Sequence, residues 1–411
     1  MSDKQRLIPL KNREFRSFLS MRVCLTIAYQ IQAVICGWEI FKITKDPLSL
    51  GLIGLAEAIP AISIALYAGH LADKSNKRNL LLWTVAGFFV CSSGLAIVTS
   101  DAVRITTTEV FTVNMMYLFI FLSGFARGFY SPTGFSFIPQ LVPRDQLSHA
   151  TTLNSTFWQF SSIIGPALGG FLYAGFGMTG AMYVVLAFVL LSFFSTTRIA
   201  SKPVIQAGNK EAIADRLKEG LRFVFRNKII LNALALDMFS VLFGGAVALL
   251  PVFADQILMV GPQGLGMLRA APSVGALITM SWLSLRSVPG RAGTTLLWAV
   301  AGFGVSILLF GISTNFYFSL FVLFLSGAFD SVSVIIRANI IQLLTPDEMR
   351  GRVSAVNSMF IGSSNEIGAF ESGVTAKWMG TVGSVVFGGT MTLLIVGFSA
   401  VKAKQLKRFS Y

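Results

Sequence analysis

An all-α integral membrane fold, with twelve transmembrane helices in two six-helix bundles and both termini cytoplasmic, is what this sequence predicts. Three observations carry the prediction. The first is composition: 54% of the 411 residues are apolar, 13% are charged, and the mean hydropathy is +0.69, whereas soluble domains carry about 25% charged residues. The second is recurrence, because apolar runs of about 20 residues, each long enough to cross a bilayer as a helix, follow one another along nearly the whole chain. The third is where the charge sits. Of the 33 Lys and Arg, Lys42, Lys45, Arg104 and Lys377 fall outside, Arg22, Arg127, Arg269 and Arg337 fall within spans, and the rest lie in the tails or in loops on the opposite side. That asymmetry is the positive-inside rule. The net charge of +14 therefore reflects topology and gives no ground for a nucleic-acid partner.

In order, the spans cover residues 15–41, 48–72, 79–99, 114–137, 150–175, 178–198, 229–254, 264–286, 292–313, 316–338, 353–378 and 381–402. Pro132 and Pro139 interrupt the region around the fourth. Residues 1–14 are polar, carry Lys4, Arg6, Lys11 and Arg13, and precede no small-residue cleavage site, so the first span reads as an uncleaved anchor. Residues 199–228 form the one long polar interruption between a bundle at 1–198 and a bundle at 229–411. Within it Ile213, Leu217, Leu221 and Val224 recur at helical spacing, opposite Asp215, Arg216, Lys218, Arg222 and Arg226. This predicts an amphipathic helix on the inner leaflet, serving as a surface linker or as a docking site. Cys24, Cys36 and Cys91 all fall in spans without a metal-ligand spacing, which argues against disulfides and against a metal site.

The two halves repeat. Ser123-Gly124-Phe125 answers Ser326-Gly327-Ala328, and Asn154-Ser155-Thr156-Phe157 answers Asn357-Ser358-Met359-Phe360, about 203 residues apart. Between them, Gln140-Leu141-Val142 and Asp145-Gln146-Leu147 align with Gln342-Leu343-Leu344 and Asp347-Glu348-Met349 after a one-residue slip. A repeat of this size predicts two equivalent bundles with a substrate path between them near the bilayer midplane.

Two motifs sharpen the picture. Between the second and third spans stands Gly69-His70-Leu71-Ala72-Asp73-Lys74-Ser75-Asn76-Lys77-Arg78. Here Gly69 admits close helix packing, Asp73 can pair with cations or a helix N-terminus, and Asn76 tolerates a left-handed turn. The fifth span carries Ser161-Ser162-Ile163-Ile164-Gly165-Pro166-Ala167-Leu168-Gly169-Gly170. There Gly165, Gly169 and Gly170 give close backbone contact and Pro166 bends the helix. The first motif resembles the loop between helices 2 and 3 of the major facilitator superfamily, with Asn76 where that family usually has glycine. The second is similar to the antiporter element of the same superfamily, with Ser161 in place of its first glycine. Residues 138–147, 217–224 and 268–276 resemble the drug:proton antiporter branch that includes macrolide efflux pumps and an enterobactin exporter. The resemblance implies the major facilitator fold. It also implies proton-coupled export of a small molecule, such as a siderophore or a macrolide-like drug, in multidrug fashion across the inner membrane. It assigns cytoplasmic gating to Gly69, Asp73, Lys74, Lys77, Arg78, Asp145 and Asp347, and a part in proton coupling to Arg127, which Gly128 follows.

Carboxylates at membrane depth mark function, because each costs about 2.5–3.5 kcal/mol even on lenient insertion scales. Glu57, Asp237 and Glu366 fall near the midplane, Glu57 about 14 Å from its span's outer end at about 1.5 Å per residue. Glu39 and Glu371 lie nearer the outer surface, where Lys42 and Lys377 are placed to pair with them. Asp330 corresponds in the repeat to Arg127. Glu57 and Asp237 are the first choices for the proton carrier, and Arg127, Asp330 and Glu366 complete the candidates. For Glu57 a hydrogen-bonded packing carboxylate is an equal alternative, for Asp237 a charge pair on its helix that locks the bundles, and the partner of Arg127 is Asp330, Glu57 or neither. Glu366 sits beside Asn365 in a polar patch suited to substrate as well as to protons. Tyr29, Trp38, Phe41, Phe129, Tyr130, Phe239 and Phe243 are candidate cavity aromatics, with packing or lipid contact the commoner role for each.

The leading expectation is a secondary transporter acting as a monomer, with a small-molecule substrate and membrane lipids as partners and the proton gradient in place of a cofactor. The alternatives are a non-transporting sensor or scaffold on a transporter fold, an importer, and a lipid facilitator. A nucleotide loop and a nucleophile–base set are both missing from the sequence, so an enzyme is not expected.

Overall fold

The computed structural model of the chain describes residues 8–203, 213–285, 291–407 and 409–410. Within these ranges the side chains of Ala65, Leu66, His70, Asp73, residues 213–216 and 284–285, Asp347 and Ala355 lie outside the description. The gating expectations for Asp73 and Asp347, and the faces assigned to Ile213, Asp215 and Arg216, therefore fall outside the described residues. The long elements are helices α1 (Arg13–Thr44), α2 (Pro47–Lys74), α3 (Lys77–Val98), α4 (Glu109–Leu141), α5 (Leu147–Thr197), α6 (Ile213–Arg226), α7 (Lys228–Phe243), α8 (Gly261–Leu285), α9 (Ala292–Gly311), α10 (Phe316–Leu344), α11 (Arg350–Met379) and α12 (Thr381–Lys402), with no strand among the described residues.

Nine helices among the described residues are long and apolar enough to cross a membrane by length and composition. Helices α8 and α11, which the sequence analysis counts as spans, have the length but are more polar. Arg269 interrupts the first, and Asn357, Ser363, Ser364, Asn365 and Glu366 interrupt the second.

Polar side chains start the helices. Asn227 caps α7 by accepting from the backbone N–H groups of Ile229 and Ile230, Asn315 caps α10 through Phe318, and Thr108 caps α4 through Phe111. Asn76 caps α3 in extended conformation, with φ −65° and ψ 113°. The left-handed turn expected there is not formed, because the side chain of Asn76 accepts from the Asn79 N–H while its Nδ2 donates to Ser201 Oγ and the Lys202 carbonyl. Glycine ends two spans instead. Gly177 (φ 66°) breaks α5 into two segments, and Gly380 (φ 79°) separates α11 from α12. The two stand 203 residues apart, at the offset of the sequence repeat.

The span expected at 229–254 is not one helix. Helix α7 stops at Phe243, and Gly244 and Gly245 lead into a 3₁₀ turn (Ala246–Leu249), a short helix (Leu250–Val252) and a wide π turn (Phe253–Ile257). Two adjacent glycines each disfavour helix by about 1 kcal/mol relative to alanine. Both are also needed for contact: a Cβ on Gly244 would meet the Phe303 ring at 2.6 Å, and one on Gly245 would meet the Gly368 carbonyl at 3.1 Å.

The chain divides into two compact units, residues 1–43 with 56–210, and residues 44–55 with 211–411. In the first unit Phe15, Phe18, Leu81, Phe137, Leu141 and Ala150 close the end at which α1 begins, the Phe18 ring edge-on to Phe137 with centroids 6.0 Å apart. Asn12 fastens the same end, its Nδ2 donating to the Leu141 carbonyl at 2.8 Å. In the second unit Val224, Ile230, Leu296, Ile336, Ile340, Val353 and Leu406 form the core. Helix α6 belongs to that core. Its Val224 is fully buried, Gly220 lies against the Arg352 carbonyl, and Glu219 pairs with Arg352. The apolar face expected on the inner leaflet is thus turned onto protein, and Lys218, Arg222 and Arg226 remain exposed.

Equivalent glycines make equivalent crossings in the two units. Gly124 brings α4 onto α2, where a Cβ would sit 2.5 Å from the Glu57 carbonyl, and Gly327 brings α10 onto the Pro272 backbone of α8. Gly165 sets α5 against Gln30 and Ile27 of α1, and Gly368 sets α11 against the Leu242 carbonyl of α7. Close approach of this kind gives the dispersion and weak C–H contacts that hold helices together where no hydrophobic effect operates between them. Gly165→Leu is expected to cost about 2–3 kcal/mol by overpacking, read as a lowered melting temperature in detergent. Gly397→Leu, whose Cβ meets nothing within 4 Å, should leave melting unchanged.

Candidate functional site

Each unit places arginine against carboxylate in its interior. In the first, Arg127 of α4 donates from Nη1 to Glu57 Oε1 of α2 at 2.8 Å, and Tyr29 of α1 donates its hydroxyl to the same oxygen. The guanidinium carbon of Arg127 lies 5.5 Å from the centre of the Tyr29 ring. The geometry follows from the glycine crossing: Gly124 and Gly128 let α4 settle on the Glu57–Ala61 turn of α2, which sets Arg127 beside Glu57. The Glu57 side chain is 12% exposed and that of Arg127 42%, so the pair is packed on one side and reachable on the other. The charge of the carboxylate is what binds the guanidinium.

In the second unit Asp237 of α7 is ion-paired with Arg337 of α10, both side chains less than a tenth exposed. Asp330 stands two turns before Arg337 on the same helix. With Asp237, Ser240 and Ser333 it lines a small cavity of about 10 Å³. Two carboxylates thus line one cavity, and Arg337 pairs with one of them, Asp237.

A third cluster closes the far end of α1 in the first unit. Arg104, from the turn Asp101–Arg104, donates to Glu39 Oε1 at 2.7 Å, and Tyr173 of α5 donates to Oε2. Trp38 packs edge-on against Tyr173 with centroids 6.3 Å apart. The partner expected for Glu39 was Lys42, which shares its helix; the loop arginine reaches it instead. Lys377, expected near Glu371, pairs with Asp46 at 3.0 Å.

The repeat-related Arg127 and Asp330 take different partners, Arg127 with Glu57 and Asp330 beside Asp237. Glu366 on α11 is half-buried and Asn365 beside it exposed. Glu366 Oε2 comes within 3.5 Å of where a Cβ on Gly54 would lie. Among the aromatics, Trp38 and Phe41 are buried in packing and Phe239 is 43% exposed. Phe129 meets Tyr67 and Phe243 meets Phe387 edge-on, while Tyr130 lies under Arg22.

The loop motif is only partly structural. A Cβ on Gly69 would meet nothing within 4 Å among the described residues. Lys77 is buried, and Arg78 donates to the Thr197 carbonyl at 3.2 Å, tying the start of α3 to the end of α5. Lys74 and Asp145 are exposed. In the α5 element Gly165 and Gly169 both lie against α1, while Pro166 and Gly170 are buried. Sequence reasoning named Arg337 as a span arginine but gave it no partner, and it placed neither Arg104 nor Tyr173 in a site. The depth of Asp237 and Arg337 was visible in the sequence; the rotation that makes them meet was not.

A family model described as transmembrane secretion effector matches residues 4–409. An uncharacterized MFS-type transporter of Bacillus subtilis (strain 168), YfiS, is 24% identical over 380 residues, covering 89% of this chain and 87% of that protein. The enterobactin exporter EntS of Escherichia coli O81 (strain ED1a) is 25% identical over 296 residues, covering 71% of each. Among solved structures, a D-xylose–proton symporter superposes with a TM-score of 0.73 at 14% identity, over 93% of this chain and 96% of that one. That likeness is one of fold.

Breaking the buried Asp237–Arg337 pair on one side leaves an uncompensated charge. Arg337→Leu and Asp237→Leu are each expected to lose about 3–5 kcal/mol, and the double variant to regain most of it. Melting of the purified proteins in detergent measures this, and additive losses would show that the two side chains are not coupled.

Proposed function

Because the chain belongs to the transmembrane secretion effector family of the major facilitator superfamily, a family of multi-pass membrane transporters, we propose that it exports a small amphipathic molecule in exchange for protons. The reading takes transport as secondary, with alternating access. It places twelve spans in the inner membrane, both termini in the cytoplasm, and a monomer among membrane lipids, with the proton gradient as its energy source and no bound cofactor. The substrate class is a siderophore or a macrolide-like drug. The support for it is the similarity to a protein described as an enterobactin exporter, together with the antiporter-like element around Gly165 and Pro166.

One observation carries the proton coupling: Glu57, held by Arg127 and Tyr29 and still open on one side. In the charged state the carboxylate binds the guanidinium and accepts from the phenol. Protonation cancels the charge, so the guanidinium loses its ionic hold on Glu57 and the tie between α2 and α4 weakens. Substrate binding and proton binding then oppose one another through the same pair, which is what exchange requires. Asp237, Arg337 and Asp330 form the second such centre, and Glu366 and Asn365 are the polar groups of α11 offered to substrate.

Proton release from energised everted vesicles tests the reading. Catecholate and hydroxamate siderophores, macrolides and cationic dyes would be added in turn, with Glu57→Gln and Asp237→Asn vesicles alongside. A compound-specific collapse of the pH gradient, lost in either variant, is the expected result. Silence toward every compound with folded protein present would overturn antiport.

A further inference from the structure

The arginines that reach in among the helices of the first unit, each still part exposed, are not equally provided for. Arg127 holds Glu57, and Arg104, reaching in from its loop, holds Glu39. Glu14, at the start of α1, pairs with Lys202. Arg22 has none of these. It sits nine residues into α1, about 14 Å along the helix at about 1.5 Å per residue, and among the described residues its guanidinium makes no ion pair and no hydrogen bond. Its Nε is shut off from solvent without a partner. What surrounds it is aromatic: the guanidinium carbon lies 4.7 Å from the centre of the Tyr130 ring and 6.0 Å from that of Phe18. Space has been left for it as well, since a Cβ on Gly134 of α4 would collide with Nη1.

A cation partly withdrawn from water and packed on π faces is stabilised in part. The hydrogen-bonding capacity of its Nε stays unmet, and that is costly inside a membrane. A guanidinium lying over one ring keeps its N–H groups directed along its own plane. They form a fork that matches the two oxygens of a carboxylate or another planar oxyanion. Among the described residues, the carboxylates that reach the helix interior of this unit, Glu39 and Glu57, are already taken, so this unit leaves Arg22 open to an oxyanion that is not its own.

We propose that Arg22, braced by Tyr130 and accommodated by Gly134, binds an oxyanion of the transported molecule, which is therefore an aromatic or amphipathic acid rather than a cation. This deepens the export reading and rests on it for the word transported. The site itself is a claim about binding and is tested as such.

Saturable binding of radiolabelled salicylate to the purified full chain in detergent is the measurement, with radiolabelled tetraphenylphosphonium as the matched cation. Arg22→Gln should weaken salicylate at least tenfold, and Arg22→Lys, which keeps the charge without the fork, should weaken it less. Gly134→Ala, which displaces the guanidinium, should weaken it without touching the charge. Melting temperatures show that each variant is folded, and Tyr130→Phe serves as a second, conservative probe of the brace, expected to retain binding because the π face remains. Salicylate affinity unchanged in Arg22→Gln, or no saturable salicylate binding to folded wild-type protein, would overturn the site. The two readings separate cleanly. If salicylate binding depends on Arg22 while no compound moves protons in vesicles, the site stands and antiport falls. If dyes exchange for protons while salicylate ignores Arg22, antiport stands and the site falls.

Discussion

The expense of charge in a low-dielectric interior governs this molecule. A helix that carries a carboxylate into the bilayer must bring it to a cation, and the cation must come from another helix if it is to hold the two together. Glu57 with Arg127 joins α2 to α4, Asp237 with Arg337 joins α7 to α10, and Glu39 with Arg104 and Tyr173 joins α1 to α5 and the turn before α4. None of these contacts is a surface ion pair of the kind worth little. In each the carboxylate is the well-buried partner, so loss of the cation strands it, while only Arg337 among the three cations is itself buried. The same economy makes the exceptions informative: a proton on Glu57 or an oxyanion at Arg22 alters a balance that the surroundings cannot screen.

Beneath the charges lies backbone contact. Gly124 and Gly327, and Gly165 and Gly368, let helices touch main chain to main chain at equivalent places in the two units. These contacts decide which residues face one another. Arg127 meets Glu57 because Gly124 and Gly128 remove the side chains that would hold α4 away. In the second unit the sequence has moved the arginine from the position of Asp330 to Arg337, two turns along the same helix, and the acid from α8 to α7. The repeat therefore conserves packing and permits the electrostatics to diverge.

That distinction explains what could be read from the sequence. Apolar runs and the repeat are one-dimensional signals, and the long helices follow them closely. Glu57, Asp237 and Arg127 were legible because charge within an apolar run stands out. The partners were not, since they depend on helix rotation: Arg104 reads as an outside loop residue, and Tyr173 as one aromatic among many. Asn76 misled for a local reason, its side chain being better used as a cap and as a tie to Ser201 and Lys202 than as a substitute for glycine. The break after Phe243 was written in Gly244-Gly245, yet an apolar run that continued past it concealed the stop.

Gly177 and Gly380 do more than end a helix. At each, one left-handed residue turns the chain directly from one span into the next, with no intervening loop to take up length. A connection of one residue has no slack. The segments on its two sides cannot slide, tilt or unwind independently, and each behaves as a bent lever with a fixed elbow. A displacement of α5 or α11, where Gly165 and Gly368 press on α1 and α7, is thus passed to the span beyond the elbow. The periphery of each unit is mechanically geared to its centre.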